Sequence, residues 1–253
     1  MDATRSTSKR KRIRVDAALV TRKLAQTPQR AQALIMAGKV LVDKQRVTKS
    51  GEMVAADARI EITGADFKYA SRAGLKLAGA LEDFEVDTRG LVCLDVGASN
   101  GGFADCLLQV GARRVYAVDV NTAQLDWKLR RDARVIPVEK NARFLHPADI
   151  AEKVELVTMD VSFISVTKLI GAAAGMAKHG ASFLILVKPQ FELSKAMVGK
   201  GGVVRDASLH ERAIASVCTA AEKAGLEVLG VRPSRVTGRE GNQEYFLHAR
   251  LPE

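Results

Sequence analysis

LVCLDVGASNGGF, Leu91 to Phe103, carries an apolar run through one acid, Asp95, into a glycine-rich turn. A short apolar run that stops at glycines reads as a buried strand feeding a helix. In an open α/β sheet the ligand lies beyond the carboxyl end of such a strand. A dinucleotide turn would read G-x-G-x-x-G, with glycines spaced for a pyrophosphate. Here the order is D-x-G-x-x-x-G-G: Asp95, Gly97, Gly101 and Gly102. The middle glycine is missing, and the acid would repel a pyrophosphate. A ligand end with both ammonium and carboxylate suits this turn better. Backbone N–H groups at the helix start take the carboxylate, and Asp95 attracts the ammonium.

Asp119 closes the next strand, 24 residues after Asp95. An acid there can accept both ribose hydroxyls of an adenosyl ligand. That leaves S-adenosylmethionine and NAD as candidates, with the amino-acid end favouring the former. The expected cofactor contacts are Asp95, Gly97, Ala98, Ser99, Gly101, Gly102, Phe103 and Asp119, with Asn141 after the third strand. Taken singly, Asp95 and Asp119 read equally well as strand-end turn residues, and Asn141 equally well as a cap.

Outward from this turn the chain alternates strands and helices. LVCLDV, RRVYAVDV, RVIPV, VELVTMDV and SFLILVK read as strands, with helices expected over 102–110, 122–131 and 165–178. After a helix at 206–224, LEVLGVRPSRV and QEYFLHARL suit a final antiparallel pair. The expectation is an α/β fold: a doubly wound, Rossmann-like sheet, mostly parallel with an antiparallel last strand. It is preceded by a small α+β module.

That module holds most of the charge. Residues 1–63 carry a balance of +8, and the rest of the 253-residue chain only +2. Such asymmetry points to a polyanion, most simply nucleic acid. Residues 1–12 read as a basic disordered arm. Val15, Ala18 and Leu19, then Ala31, Leu34 and Ile35, sit at helical spacing, with Gly38 ending the second helix. KVLVD and ARIEI read as strands. Arg14, Arg22, Lys23 and Arg30 lie off the apolar stripes and Lys39 follows the second helix, a face that suits a phosphate backbone. RVDAAL and RAQALIMAGKVLV resemble the S-four-type RNA-binding domain, over residues 13–62. Gln29 stands where that family has serine, which predicts a weaker helix cap. The domains expected are 13–63 and 71–253, joined by a linker at 64–70.

Four polar residues flank the expected crevice: Lys76 in SRAGLKL, Asp160 in MDVSFIS, Lys188 in LILVKPQFE and Glu244 in GNQEYFL. Lys188 follows five apolar strand residues, and a lysine partly out of water there loses its proton more readily. Lys76 and Glu244 alone would read as a surface ion pair. Together, the four resemble the K-D-K-E tetrad of FtsJ-type ribose 2′-O-methyltransferases. The whole chain resembles the hemolysin A family of ribosomal RNA 2′-O-methyltransferases, through SRAGLKL, DVGASNGGF, KPQFE, GVVRD and GNQEYF. Ala73-Gly74 stands where that family has two glycines.

The resemblance implies S-adenosyl-L-methionine as cofactor and ribosomal RNA or ribosomal subunits as partner, with a cytidine as target. It implies Lys188 as general base, Asp160 and Glu244 orienting the lysines and balancing charge, and Lys76 either steering the hydroxyl or helping Lys188 lose its proton by like-charge repulsion. VGKGGVVRD, past the base, reads as a flap, an RNA contact through Lys200 and Arg205, or a plain connection.

No apolar run approaches the roughly 20 residues of a membrane span, and no apolar segment follows the basic start as in a secretory signal. Cys93, Cys106 and Cys218 lack metal-ligand spacing and read as free thiols of a reducing, cytoplasmic setting. The four histidines are scattered, so no metal is expected. Three rival readings stand beside the methyltransferase: a non-catalytic RNA-binding or ribosome-assembly protein, a pore-former, and an NAD-dependent oxidoreductase.

Overall fold

The computed structural model describes residues 12–22, 24–25, 27–62, 68–199, 201–238 and 241–253. The basic arm before Arg12, Lys23, most of the expected linker and Lys200 lie outside the described residues. The chain divides into two compact units, Met1–Asp66 and Phe67–Glu253.

The first unit packs helices α1 (Val15–Thr21) and α2 (Pro28–Met36) with five three-residue strands. β2 (Val40–Val42) lies between β3 (Gln45–Val47) and β5 (Ile60–Ile62), while β1 (Arg12–Arg14) pairs with β4 (Met53–Ala55). Val15, Ala18, Leu19, Ala31, Leu34 and Ile35 are all buried, as the helical spacing predicts. Gly38, at φ +66°, lets the chain leave α2 and. The cap of α2 is not weakened by Gln29: Thr27 Oγ1 accepts the Arg30 N–H at 3.1 Å, and Pro28 opens the helix and. The β1–β4 pair has three residues per strand, too few for a pattern to show.

The second unit is one seven-stranded sheet in the order β11-β12-β10-β9-β6-β7-β8. β6 (Val92–Val96), β7 (Arg114–Asp119), β8 (Val135–Glu139), β9 (Val154–Met159) and β10 (Ala177–Val187) run parallel, and β12 (Tyr245–Arg250) is antiparallel to both β10 and β11 (Glu227–Pro233). β6 sits centrally and is buried along its whole length. Apolar clusters cover both faces, one around Leu94, Val157, Ile170 and Leu247, the other around Leu77, Phe103, Leu107 and Phe246.

α3 (Ala73–Asp83) precedes the sheet and α7 (Pro189–Glu192) follows β10, while helices α4 (Gly102–Gln109) and α8 (Ala207–Lys223) lie where expected. Two expected helices do not. Residues 122–131 form a 3-10 turn (Thr122–Gln124) and then a separate short helix, α5 (Trp127–Arg131). Asn121 and Asp126 each cap one of the two pieces, so polar side chains compete with a continuous helix. Over 165–178 only α6 (Ile170–Ala174) is α-helical, after a 3-10 turn at Val166–Lys168, and β10 already begins at Ala177. Met176 and Ala177 are buried apolar residues, and such short runs do not distinguish strand from helix. Tyr69 and Ala70, read as linker, are built into this unit: Tyr69 is buried against Gly74, and the Ala70 N–H donates to Asp105 Oδ2 at 2.7 Å.

Candidate active site

Parallel strands deliver their loops to one edge, and the strand register decides which side chains meet there. Met159 pairs with Val96 and with Ile185, and Val187 pairs with Tyr245. Gly97, Asp160, Lys188 and Glu244 therefore leave neighbouring strands at the same end of the sheet. Ser71, Ala73, Gly97, Ala98, Ser99 and Gly102, together with Phe103, Asp160, Ser162 and Lys188, line a cleft of about 150 Å³.

The glycines of the turn answer to the protein's own packing. Gly97 has φ +86°, and a Cβ on it would lie 2.4 Å from the Asp160 carbonyl oxygen. A Cβ on Gly101 would meet Leu129 at 2.2 Å, and one on Gly102 would meet Ser71 Oγ at 2.2 Å. The turn is thus pressed between the end of β9, α5 and the start of α3. In the Ala73-Gly74 pair the second position is the demanding one, since a Cβ on Gly74 would fall 2.4 Å from Tyr69.

Asp95 does not line the cleft. Its carboxyl is fully buried beneath the turn, accepting the Ala104 N–H at 3.1 Å and the Thr158 hydroxyl at 3.0 Å. A direct contact with a ligand ammonium is therefore corrected to a role under the loop. Burial, with Asp160 and Asp119 nearby, pushes this carboxyl up to about 7, while Thr158 and Ala104 pull the other way. In the unfolded chain it returns to the ordinary aspartate value of 3.8. The native state then holds a proton that the unfolded state has lost, so stability falls as pH rises from about 4 to about 7. The difference is on the order of 4 kcal/mol. Asp95→Asn keeps an acceptor for Ala104, and the Thr158 hydroxyl can turn to the Leu94 carbonyl, 3.4 Å away. The variant is expected to show a flatter melting temperature between pH 4 and 7 and to melt above the parent at pH 8. Parallel pH curves in thermal melts would refute this.

Asp119 is tied to the cleft residue Ser99, whose N–H it accepts at 2.9 Å, and also accepts the Asn121 N–H at 3.0 Å. Each oxygen keeps a further lone pair. Asn141 caps the 3-10 turn at Ala142–Phe144, accepting the Arg143 N–H at 3.0 Å, so the capping reading is the one its geometry supports. Neither residue lines the cleft.

The four flanking polar residues meet as two ion pairs. Lys76 Nζ lies 2.5 Å from Glu244 Oε2, and both residues are nearly out of water, at 9% and 2% exposure. This is no surface pair. Gly238 makes room for it, since a Cβ there would sit 2.6 Å from Glu244 Oε1. Lys188 Nζ lies 2.6 Å from Asp160 Oδ1 and donates a hydrogen bond to Ser162 Oγ at 2.9 Å. The Phe191 ring is 5.8 Å from the same amine. Ser71, Ser162 and Gly238 were not singled out from the sequence. Ser162 stands two residues after Asp160, the only hint it offered.

The predicted cationic residues have varied fates. Arg14 grips Asp16 through two hydrogen bonds, at 3.0 and 2.7 Å, which accounts for the R-x-D spacing. Arg22 donates to the carbonyls of Ala58 and Ala56, both at 2.6 Å, and so fastens the turn between β4 and β5 instead of standing free. Arg30 and Lys39 are half-buried, and Arg205 is exposed. Within VGKGGVVRD, the Val204 N–H donates to Asn242 at 2.9 Å and the Gly202 carbonyl accepts from it at 2.8 Å. Among the described residues no group of acids, histidines and cysteines is placed to hold a metal, and no helix is long and apolar enough to cross a membrane.

A parallel sheet with a glycine turn at its centre, an antiparallel final strand and lysine–acid pairs at the strand ends defines a Rossmann-like methyltransferase. Comparison with known proteins agrees. The model of the FtsJ-like methyltransferase family matches residues 69–251, and that of the S4 domain matches residues 13–60. The 16S/23S rRNA (cytidine-2′-O)-methyltransferase TlyA of Mycobacterium tuberculosis is 45% identical over 242 residues, 95% of this chain and 90% of the relative. A solved structure described as "Putative hemolysin from Streptococcus thermophilus" superposes with a TM-score of 0.74 at 36% identity, over 96% of this chain and 90% of that one. Fibrillarin from Aeropyrum pernix, solved with S-adenosyl-L-methionine bound, shares the fold (TM-score 0.52, 18% identity, 83% of this chain and 94% of that one). The chain belongs to the FtsJ-like methyltransferase family, in the TlyA/hemolysin A branch that carries an S4 domain before the catalytic one.

Proposed function

We propose that this protein uses S-adenosyl-L-methionine to methylate the ribose 2′-hydroxyl of a cytidine in ribosomal RNA, with Lys188 as general base. The observation that carries the reading is the pair of buried lysine–acid contacts, from four separate elements, at the cleft edge of the sheet. The names of the relatives supply the substrate class.

The cleft fits the cofactor's amino-acid end. The first-turn N–H groups of Gly102 and Phe103 have no acceptor within α4, and with Ser71 they form a wall suited to a carboxylate and. Asp119 offers free lone pairs to ribose hydroxyls. When bound, S-adenosyl-L-methionine supplies an electrophilic methyl group on a sulfonium, a leaving group that needs no further activation. What remains for the protein is to hold the hydroxyl in line and remove its proton. Lys188, as the neutral amine, accepts that proton at Nζ. Asp160 stabilises the ammonium that results, and Glu244 holds Lys76 where it can donate to the ribose oxygen. RNA is required because DNA lacks the hydroxyl. The S4 domain supplies grip through shape and charge, with Arg14, Arg30, Lys39 and Lys23 as candidate phosphate contacts and Lys200 and Arg205 as candidates on the catalytic unit.

The test is transfer of labelled methyl groups to separated ribosomal subunits from cells lacking this gene, followed by mapping of 2′-O-methyl positions. The expected result is label on cytidine in at least one subunit. Transfer confined to base atoms or to protein would overturn the reading. A non-catalytic ribosome-assembly role would show instead as subunit binding with no transfer.

A further inference from the structure

The segment from Asp160 to Val166 is clamped at both ends. At one end the Asp160 N–H donates to the Val96 carbonyl at 2.9 Å, and its own carbonyl presses against Gly97. At the other, the Glu192 carboxyl accepts the Ser165 hydroxyl at 2.5 Å and the Val166 N–H at 2.9 Å. Between the clamps Phe163, its side chain exposed, adopts φ +66°, a conformation that bulky residues rarely take. The outcome of this arrangement is the position of Ser162, whose hydroxyl lines the cleft and meets Lys188.

The two partners of the Lys188 amine differ in kind. The contact with Asp160 is close but lacks hydrogen-bond angles, and Asp160 Oδ1 has no hydrogen-bond donor. The contact with Ser162 has both distance and angles. Charge attraction depends mainly on separation, whereas a hydrogen bond is directional. Asp160 supplies charge, and Ser162 supplies aim. A neutral amine has two N–H groups and one lone pair, so fixing an N–H also restricts where the lone pair points.

We propose that Ser162 is a positioning residue for methyl transfer: by accepting an N–H of Lys188 it turns the amine's lone pair towards the ribose hydroxyl in the cleft. This rests on Lys188 as the base. Ser162 is exposed, so truncation leaves the fold standing. With the subunit assay above, Ser162→Ala is expected to lower kcat roughly 10- to 100-fold, the cost of a misaimed group. KM for subunits and the Kd for S-adenosyl-L-methionine stay at the parent values. Ser162→Thr, which keeps the hydroxyl, restores most of the rate. An unchanged kcat, a loss wholly in KM, or a threonine variant no better than alanine would overturn the proposal. Lys188→Ala, run in parallel, separates the two claims: transfer surviving there defeats the base assignment, whereas its loss beside a fully active Ser162→Ala defeats the positioning role alone.

Discussion

Lys188→Arg is expected to lose methyl transfer by roughly 10²- to 10⁴-fold, the usual contribution of a general base, while cofactor binding persists. Arginine keeps a positive partner for Asp160 but does not deprotonate in proteins. It therefore separates a lysine that must lose a proton from one that only balances charge. Lys188→Met removes the charge as well and leaves the Asp160 carboxylate without its counter-ion in a largely buried setting. That variant is expected to lose stability too. Adding Asp160→Asn restores the melting temperature and leaves transfer absent, so chemistry and folding are read apart. The measurements are single-turnover methyl transfer and calorimetric titration with S-adenosyl-L-methionine. An arginine variant that retained the parent rate would end the assignment of Lys188 as base.

Breaking the second pair is expected to carry the largest cost in stability. The two lysines are alike in burial, but the Glu244 side chain, at 3% exposure against 15% for Asp160, is the acid further from water, and Glu244 is the first residue before β12. Removing one member strands the other, at about 3–5 kcal/mol. For a unit of this size, Glu244→Ala should then melt about 6–20 °C below the parent. Replacing both, as Lys76→Met with Glu244→Leu, removes the uncompensated charge and should recover most of the loss, since apolar substitutes of like volume are often neutral. Activity tells the rest. If the pair only holds α3 to the start of β12, the double variant regains transfer. If Lys76 steers the ribose oxygen, the double variant melts normally and stays inactive, and this second result is the one expected.

Much of this was legible in the linear chain. The period of apolar residues around Leu94, Val118, Val157 and Ile185 marks buried strands because each packs on both faces. Gly97, Gly101 and Gly102 mark a turn that no larger residue enters. Less legible were the helices at 122–131 and 165–178, where capping by Asn121 and Asp126, and the early start of β10, follow from local polar competition and from burial. The pairing of β1 with β4 joins residues some 40 apart in three-residue pieces, below the reach of any pattern.

The amino-acid sequence by itself determined the class of fold, the two-part organisation and the residue types at the strand ends, because periodicity and turn chemistry are local properties. Only the tertiary structure decided partnership. It matched Lys76 with Glu244, 168 residues away, and Lys188 with Asp160 and Ser162. It turned Asp95 under the loop instead of into the cleft, and it tied Arg22 to two backbone carbonyls. Which acid meets which amine depends on sheet register and on the close approach that glycines permit, and neither is encoded in spacing along the chain.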